Sequence, residues 1–143
     1  MNLRCKFFDE LSPSELYEIV RARQEIFLME QNIVCRDFDG VDYSCLHCFL
    51  WDGGKVFAYL RAYYGEDGEV KIGRVLSITH GIGLGKRLMK ESIPQIKEKM
   101  KCNRIALHSQ KHAEGFYKGL GFKTVSEEFL EEGIPHVEMI LED

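Results

Sequence analysis

The segment Gly81-Ile82-Gly83-Leu84-Gly85 constrains this chain more than any other. It lies between a strand-like apolar stretch, 69–78, and a run in which Leu84, Leu88, Ile93, Ile96 and Met100 recur at mostly helical spacing. Glycines at alternate positions allow backbone conformations closed to other residues, so a strand must feed a helix here through a glycine-rich bend. Amides from Gly81 to Lys86 would then point at one spot before a helix N-terminus, a ready place for a phosphate. Two familiar phosphate loops are excluded by spacing. A P-loop would need Gly at 80 and Ser or Thr at 87, where His80 and Arg87 stand, and a dinucleotide fingerprint would need Gly where Leu88 stands. The glycines alone also fit a tight turn without a ligand.

The rest of the chain supplies the sheet around this bend. Leu3–Phe8 reads as a strand. Ser12-Pro13-Ser14-Glu15 combines a Ser cap, Pro at the first helical position and Glu at the third, and Leu16, Ile19, Val20 and Phe27 extend that helix. Alternating segments 45–51, 55–63 and 69–78, joined by Asp52-Gly53-Gly54 and Glu66-Asp67-Gly68, predict an antiparallel meander. Pro94 lies inside the helix after the bend, and loss of a backbone bond there, at about 3 kcal/mol, predicts a kink near Glu91 or an early stop. Arg104–Ser109 reads as a buried strand, Lys111–Leu120 as a short helix ended by Gly121, and 122–129 and 136–141 as closing strands. The order is β-α-β-β-β-α-β-α-β-β, an α/β (α+β) mixed sheet. No repeat or linker interrupts it, so residues 1–143 are expected to form a single domain.

Composition narrows the partners. The net charge of −4 is spread along the chain without a basic cluster, which argues against nucleic acid. No apolar run approaches the roughly 20 residues that span a bilayer, and Asp9 and Glu10 fall where a signal peptide needs its apolar region. A cytoplasmic protein with no membrane partner is expected. The five cysteines are an odd number at irregular spacing, so reduced thiols are expected. Cys45-x-x-Cys48 lacks a second Cys or His pair at ligand spacing; it reads as two small hydrophobic residues, and no metal is expected.

The bend gains meaning from Gln110-Lys111-His112-Ala113-Glu114-Gly115-Phe116-Tyr117-Lys118-Gly119-Leu120-Gly121-Phe122. Together the two segments resemble the Gcn5-related N-acetyltransferases (GNAT superfamily). That family's cofactor motif is Arg/Gln-x-x-Gly-x-Gly/Ala, and its later motif is Asn-x-x-Ala-x-x-Phe/Leu-Tyr-x-x-x-Gly-Phe. His80, Gly83 and Gly85 match the first, with His in place of Arg or Gln. Ala113, Phe116, Tyr117, Gly121 and Phe122 match the second, with Gln110 in place of Asn. Arg23–Gln31, Asp39-Gly40-Val41-Asp42 with His47, and Gly133-Ile134-Pro135-His136 resemble the ElaA-type branch, so the likeness covers nearly the whole chain. The segment from Arg74 to His80 is shorter than in that branch, which leaves Gly83 and Gly85 better anchored in the motif than Ser77 or Ile78.

The resemblance implies the acyl-CoA N-acyltransferase fold and transfer of an acetyl group from acetyl-CoA to a primary amine, in a ternary complex without an acyl-enzyme. The implied cofactor site comprises Val75, Leu76, Ser77, His80, Gly81, Ile82, Gly83, Leu84, Gly85, Lys86, Gln110, Phe116 and Tyr117. The pyrophosphate would sit on the amides of the bend, with Lys86 or Arg87 adding charge, and the pantetheine would pair with strand 74–77 where it leaves strand 104–109. Tyr117 would protonate the departing thiolate. Glu30, His47, His108 and His136 are candidate bases, because an ammonium must lose a proton before it attacks, and Glu30 leads among the residues expected to hold the acceptor. The expected acceptor is a small polar amine held among Glu30, Asp39, Asp42, His47, Arg74 and His136, with a homodimer left open. Two rival readings are a non-catalytic acyl-CoA-binding module of the same fold and a structural protein that binds no CoA.

Overall fold

The computed structural model describes residues 1–142. Its elements are β1 (Asn2–Phe7), α1 (Pro13–Arg23), β2 (Leu46–Asp52), β3 (Lys55–Tyr64), β4 (Val70–Ser77), α2 (Leu84–Met100), β5 (Arg104–Gln110), α3 (Glu114–Gly119), β6 (Lys123–Thr124), β7 (Phe129–Glu131) and β8 (Ile134–Glu142). The strands form one mixed sheet in the order β1-β2-β3-β4-β5-β8-β6, with β7 also on β8. The β1–β4 meander is antiparallel, and β5 joins β4 in parallel through the α2 crossover.

Side chains alternate across each strand, so the two sheet faces carry separate cores. On one, Leu46, Cys48, Leu60, Ile72, Ile105, Leu107 and Met139 meet Leu88, Met89, Ile96 and Met100 of α2. On the other, Phe49, Tyr59 and Leu76 meet Ile19, Ala22 and Ile26. The N-terminus of α1 is built as its sequence predicts: the Ser12 hydroxyl accepts from the Glu15 amide at 3.1 Å, and Glu15 Oε1 accepts from the Ser12 amide at 2.8 Å.

Four local readings are corrected. The helix expected to run to Phe27 is α-helical only to Arg23 and continues as a π-helix over Gln24–Glu30. The α2 helix does not stop at Pro94 but runs to Met100. Pro94 and Lys90 are both exposed, so the Lys90 carbonyl can bond water, and burial of Leu88, Met89, Ile96 and Met100 outweighs the proline's cost. Residues 111–120 split into a 3₁₀ turn, Lys111–Ala113, and α3. The single strand expected over 122–129 is two short pieces, β6 and β7, of which the second makes a hairpin with β8.

One irregularity positions the site. Tyr59 faces Leu76 and Arg61 faces Gly73, so Leu60 opposes two residues, Arg74 and Val75, in a bulge. Arg74 adopts φ +54° there, a left-handed conformation uncommon outside glycine. Beyond the bulge, β4 no longer pairs with β5. The ladder covers only Val70–Ile72 against Ile105–Leu107, although the strands run on to Ser77 and Gln110. The two strands therefore splay in the middle of the sheet.

Candidate active site

Three features meet at this splay. The first is the glycine bend. Gly81 and Gly83 hold φ of +81° and +78°, with nothing near either Cα that a side chain would strike, so it is the backbone conformation that favours glycine. The first α2 bond runs from the Arg87 amide to the Gly83 carbonyl at 3.0 Å, which leaves the first-turn amides of 84–86 without helical partners. Lys86 is exposed beside them. Arg87 is turned away, donating to Glu91 at 2.7 Å and to the Met1 carbonyl at 2.8 Å, so the expected charge from that residue does not reach the bend. Gly85 matters for a different reason: a Cβ there would touch the Phe116 ring at 3.6 Å, where α3 passes α2.

The second feature is Tyr117. It is 8% exposed, its ring edge-on to Phe116 and Phe122 at 5.1 and 5.9 Å, and its hydroxyl makes no hydrogen bond among the described residues. Burial pushes that hydroxyl's pKa well above the ordinary tyrosine range, so it holds its proton throughout neutral pH. Val75, Leu107, Ala113 and Tyr117 line the inner end of a cleft of about 820 Å³ that opens through the splay.

The third feature is the wall of that cleft. Gln110 Nε2 donates to Gln31 Oε1 at 3.1 Å, which ties β5 to the loop after the π-helix. His108 and His136 lie on neighbouring strands, with Glu131 Oε1 2.8 Å from His108 Nδ1 and Glu131 Oε2 3.5 Å from His136 Nε2. Opposite them Arg74 donates to Asp37 at 2.8 Å and reaches Asp39 at 3.4 Å. Behind that pair, Arg61 bridges Asp39 at 2.7 Å and Asp42 at 3.0 Å, and Arg23 bridges Asp42 at 2.7 Å and Asp37 at 3.1 Å. Arg61's hydrogen bonds are the main reason the Asp39 carboxyl lies well below its usual pKa.

The expected acceptor residues are thus not all brought together. His136, Arg74, Asp39 and His108 line the cleft; Asp42, His47 and Glu30 do not. Asp42 is spent on Arg23 and Arg61; burial alone would raise its pKa, but those two guanidinium groups outweigh it and hold it below the ordinary value. His47 is fully buried behind this network, 2.7 Å from the Tyr59 hydroxyl and 3.0 Å from the Asp42 carbonyl oxygen, and burial lowers its pKa so that it stays neutral. Glu30 pairs with His80 at 2.7 Å, which joins it to the cofactor bend rather than to the acceptor cleft. Of the expected cofactor strand, Leu76 turns its side chain into the α1 core, and only its backbone faces the splay's edge. Cys48 and Cys45 are both buried, and the Cys45 thiol donates to the Val41 carbonyl at 3.2 Å. No local signal in the sequence singles out Glu131 from the neighbouring glutamates. Only the β7–β8 hairpin, flagged by Gly133, and the β5–β8 register bring it beside His108.

A mixed sheet split between parallel neighbours, with a glycine-capped helix at the split, is the architecture of acyl-CoA N-acyltransferases. The acetyltransferase (GNAT) domain profile matches residues 40–143, and the chain belongs to this family, with ElaA-type relatives. A UPF0039 protein of Schizosaccharomyces pombe is 36% identical over 141 residues, 96% of this chain and 94% of that protein. Protein ElaA of Escherichia coli is 33% identical over 139 residues, covering 93% and 91%. The crystal structure of an acyl-CoA N-acyltransferase from Pseudomonas aeruginosa superposes with a TM-score of 0.91 at 32% identity, covering 99% of each chain. Among the described residues, no helix is long and apolar enough to cross a membrane.

Proposed function

We propose that this protein transfers an acetyl group from acetyl-CoA to the primary amine of a small polar acceptor by direct attack within a ternary complex. The observation that carries the reading is the interrupted β4–β5 ladder, with free helix-start amides at one end of the gap and a protonated, buried tyrosine inside it. A pyrophosphate fits the amides from Gly81 to Lys86, with Lys86 beside them. A pantetheine amide pair fits the unpaired backbone of 74–77, strand against strand. His80, Ile82, Leu84 and Phe116 frame this end of the groove, and Gln110 its inner edge.

The division of labour follows from placement. His108 opens onto the cleft and serves as the base that takes a proton from the acceptor's ammonium, so that the nitrogen lone pair can form the new bond to the acetyl carbon. Tyr117 gives its proton to the sulfur as the carbon–sulfur bond breaks, the nitrogen sheds its second proton to restore the tyrosine hydroxyl, and the proton held by His108 passes to water. The raised pKa of Tyr117 does not forbid this, because the same dry surroundings also raise the proton affinity of the thiolate. Glu131, Glu132, Arg74 and His136 surround the acceptor with hydrogen-bonding groups of both signs, which suits a small polar amine.

The test is release of free thiol from acetyl-CoA across a panel of primary amines, with acetylated product identified by mass. Intersecting initial-rate lines are expected. Parallel lines would point to an acyl-enzyme and refute direct transfer, and tight acyl-CoA binding without thiol release for any amine would leave a non-catalytic acyl-CoA-binding module.

A further inference from the structure

We infer that Glu131 is the positioning residue for His108, holding its ring in the tautomer that leaves Nε2 free to receive the acceptor's proton. The inference rests on the reading of His108 as the base, but it makes a claim about the ring that can be checked without turnover.

Glu131 is the last residue of β7, and Glu132 and Gly133 turn the chain back into β8 with φ of +52° and +72°. The hairpin places Glu131 over the β5–β8 pair, where His108 and His136 sit on neighbouring strands. Glu131 Oε1 lies 2.8 Å from His108 Nδ1. An ionised carboxylate only accepts, so Nδ1 must carry the hydrogen, and the neutral ring's lone pair is left on Nε2. Glu138 Oε2 is 3.7 Å from Nε2, beyond direct hydrogen-bond length, so it does not compete with Glu131 for the ring's hydrogen. Once Nε2 has taken a proton from the ammonium, both ring nitrogens donate, and carboxylates stand on both sides of the ring.

The neighbours make the arrangement rigid. Phe129, on the same short strand, meets the His108 ring edge-on at 5.1 Å and stacks on His136 at 6.1 Å. His136 is itself fixed, its Nδ1 donating to the Ile134 carbonyl at 2.7 Å. The second Glu131 oxygen lies 3.5 Å from His136 Nε2, which donates to it only when that ring is protonated. Partners that orient a metal-ligating histidine typically matter by about 10- to 100-fold when removed, and a loss of that order is expected where a histidine must present one nitrogen to its substrate.

The experiment pairs long-range ¹⁵N NMR of the unliganded protein, at about pH 8 where an ordinary histidine is neutral, with kinetics. In the parent, His108 should show the hydrogen on Nδ1. Glu131→Leu should move the ring toward the other tautomer and lower kcat about tenfold with KM for acetyl-CoA unchanged. Glu131→Gln, whose side-chain carbonyl can still accept, should retain the tautomer. In a His108→Gln background, Glu131→Leu should cost nothing further. An unchanged tautomer in Glu131→Leu overturns the inference, as does an equal loss of kcat in the His108→Gln background. If His108→Gln keeps full kcat, the base assignment falls instead, and the NMR result still decides whether Glu131 sets the ring.

Discussion

Replacing Gly83 tests the cofactor bend with two variants that separate backbone strain from charge. Gly83 caps α2 at φ +78° and ψ +16°, and a Cβ there meets nothing within 4 Å. Alanine therefore introduces no clash, only a left-handed conformation that costs an L-residue about 1 kcal/mol. For a chain of this length that amounts to a fall of roughly 2–4 °C in Tm. Glutamate carries the same backbone cost and adds a carboxylate beside the first-turn amides. Between that carboxylate and a diphosphate about 6 Å away, Coulomb's law gives roughly 1 to 5 kcal/mol of repulsion across effective dielectrics of 80 to 20. The Kd for CoA should therefore rise about tenfold to several thousandfold. Calorimetric titration with CoA reads the affinity and thermal unfolding reads the strain. Gly83→Ala should lose stability and keep CoA affinity within a few-fold, while Gly83→Glu should fold equally well and lose affinity. A folded Gly83→Glu protein that binds CoA like the parent would refute the placement of the pyrophosphate on this bend.

Other outcomes follow from the same geometry. Tyr117→Phe should lower kcat by about a hundred- to ten-thousandfold with CoA affinity intact, and a loss under threefold would make Tyr117 a packing residue. Asp42→Asn should cost about 3 kcal/mol in urea unfolding, because it strips a counter-charge from the buried Arg23 and Arg61; a changed acceptor KM at unchanged stability would return Asp42 to the acceptor site. Burial alone would raise the Glu15 pKa, but the Ser12 amide, Arg4 and Lys6 together hold it down at about 2. Its stabilisation is thus present above the ordinary glutamate pKa of 4.5 and is lost as pH falls toward 2. Glu15→Gln should therefore destabilise by roughly 1–3 kcal/mol at pH 7, and the gap to the parent should close between pH 4.5 and 2.

How much of this could be read from the sequence depended on the range of the interactions involved. The Ser12 cap, the hairpin turns and the Gly81–Gly85 bend are local signals, each set by residues within a few positions, and the structure has each where the sequence predicts it. The penalty at Pro94 is local, and the packing of α2 on the sheet, which is indifferent to sequence distance, outweighs it. The strand expected over 122–129 broke because pairing with β8, not its own apolar residues, decides which pieces become strands.

The acceptor side was harder to read because its acidic residues look alike in sequence and differ only in what they meet. Asp39 and Asp42 invite an ammonium on paper, yet both, like Asp37 beside them, are engaged by Arg23, Arg61 or Arg74, whose side chains come from α1, β3 and β4. Those pairings brace the loop around 37–42 against the sheet and reach the bulged Arg74, so the carboxylates that seemed to advertise a ligand instead shape the cleft's wall. Glu131 is the converse. Nothing around it in sequence marks it, since its partner His108 lies 23 residues away and becomes a neighbour only through the hairpin and the β5–β8 register. An acidic residue in this fold therefore takes its role from the cation it faces. A carboxylate against a buried arginine holds the scaffold, and one against a half-exposed histidine in the cleft can govern where a proton goes.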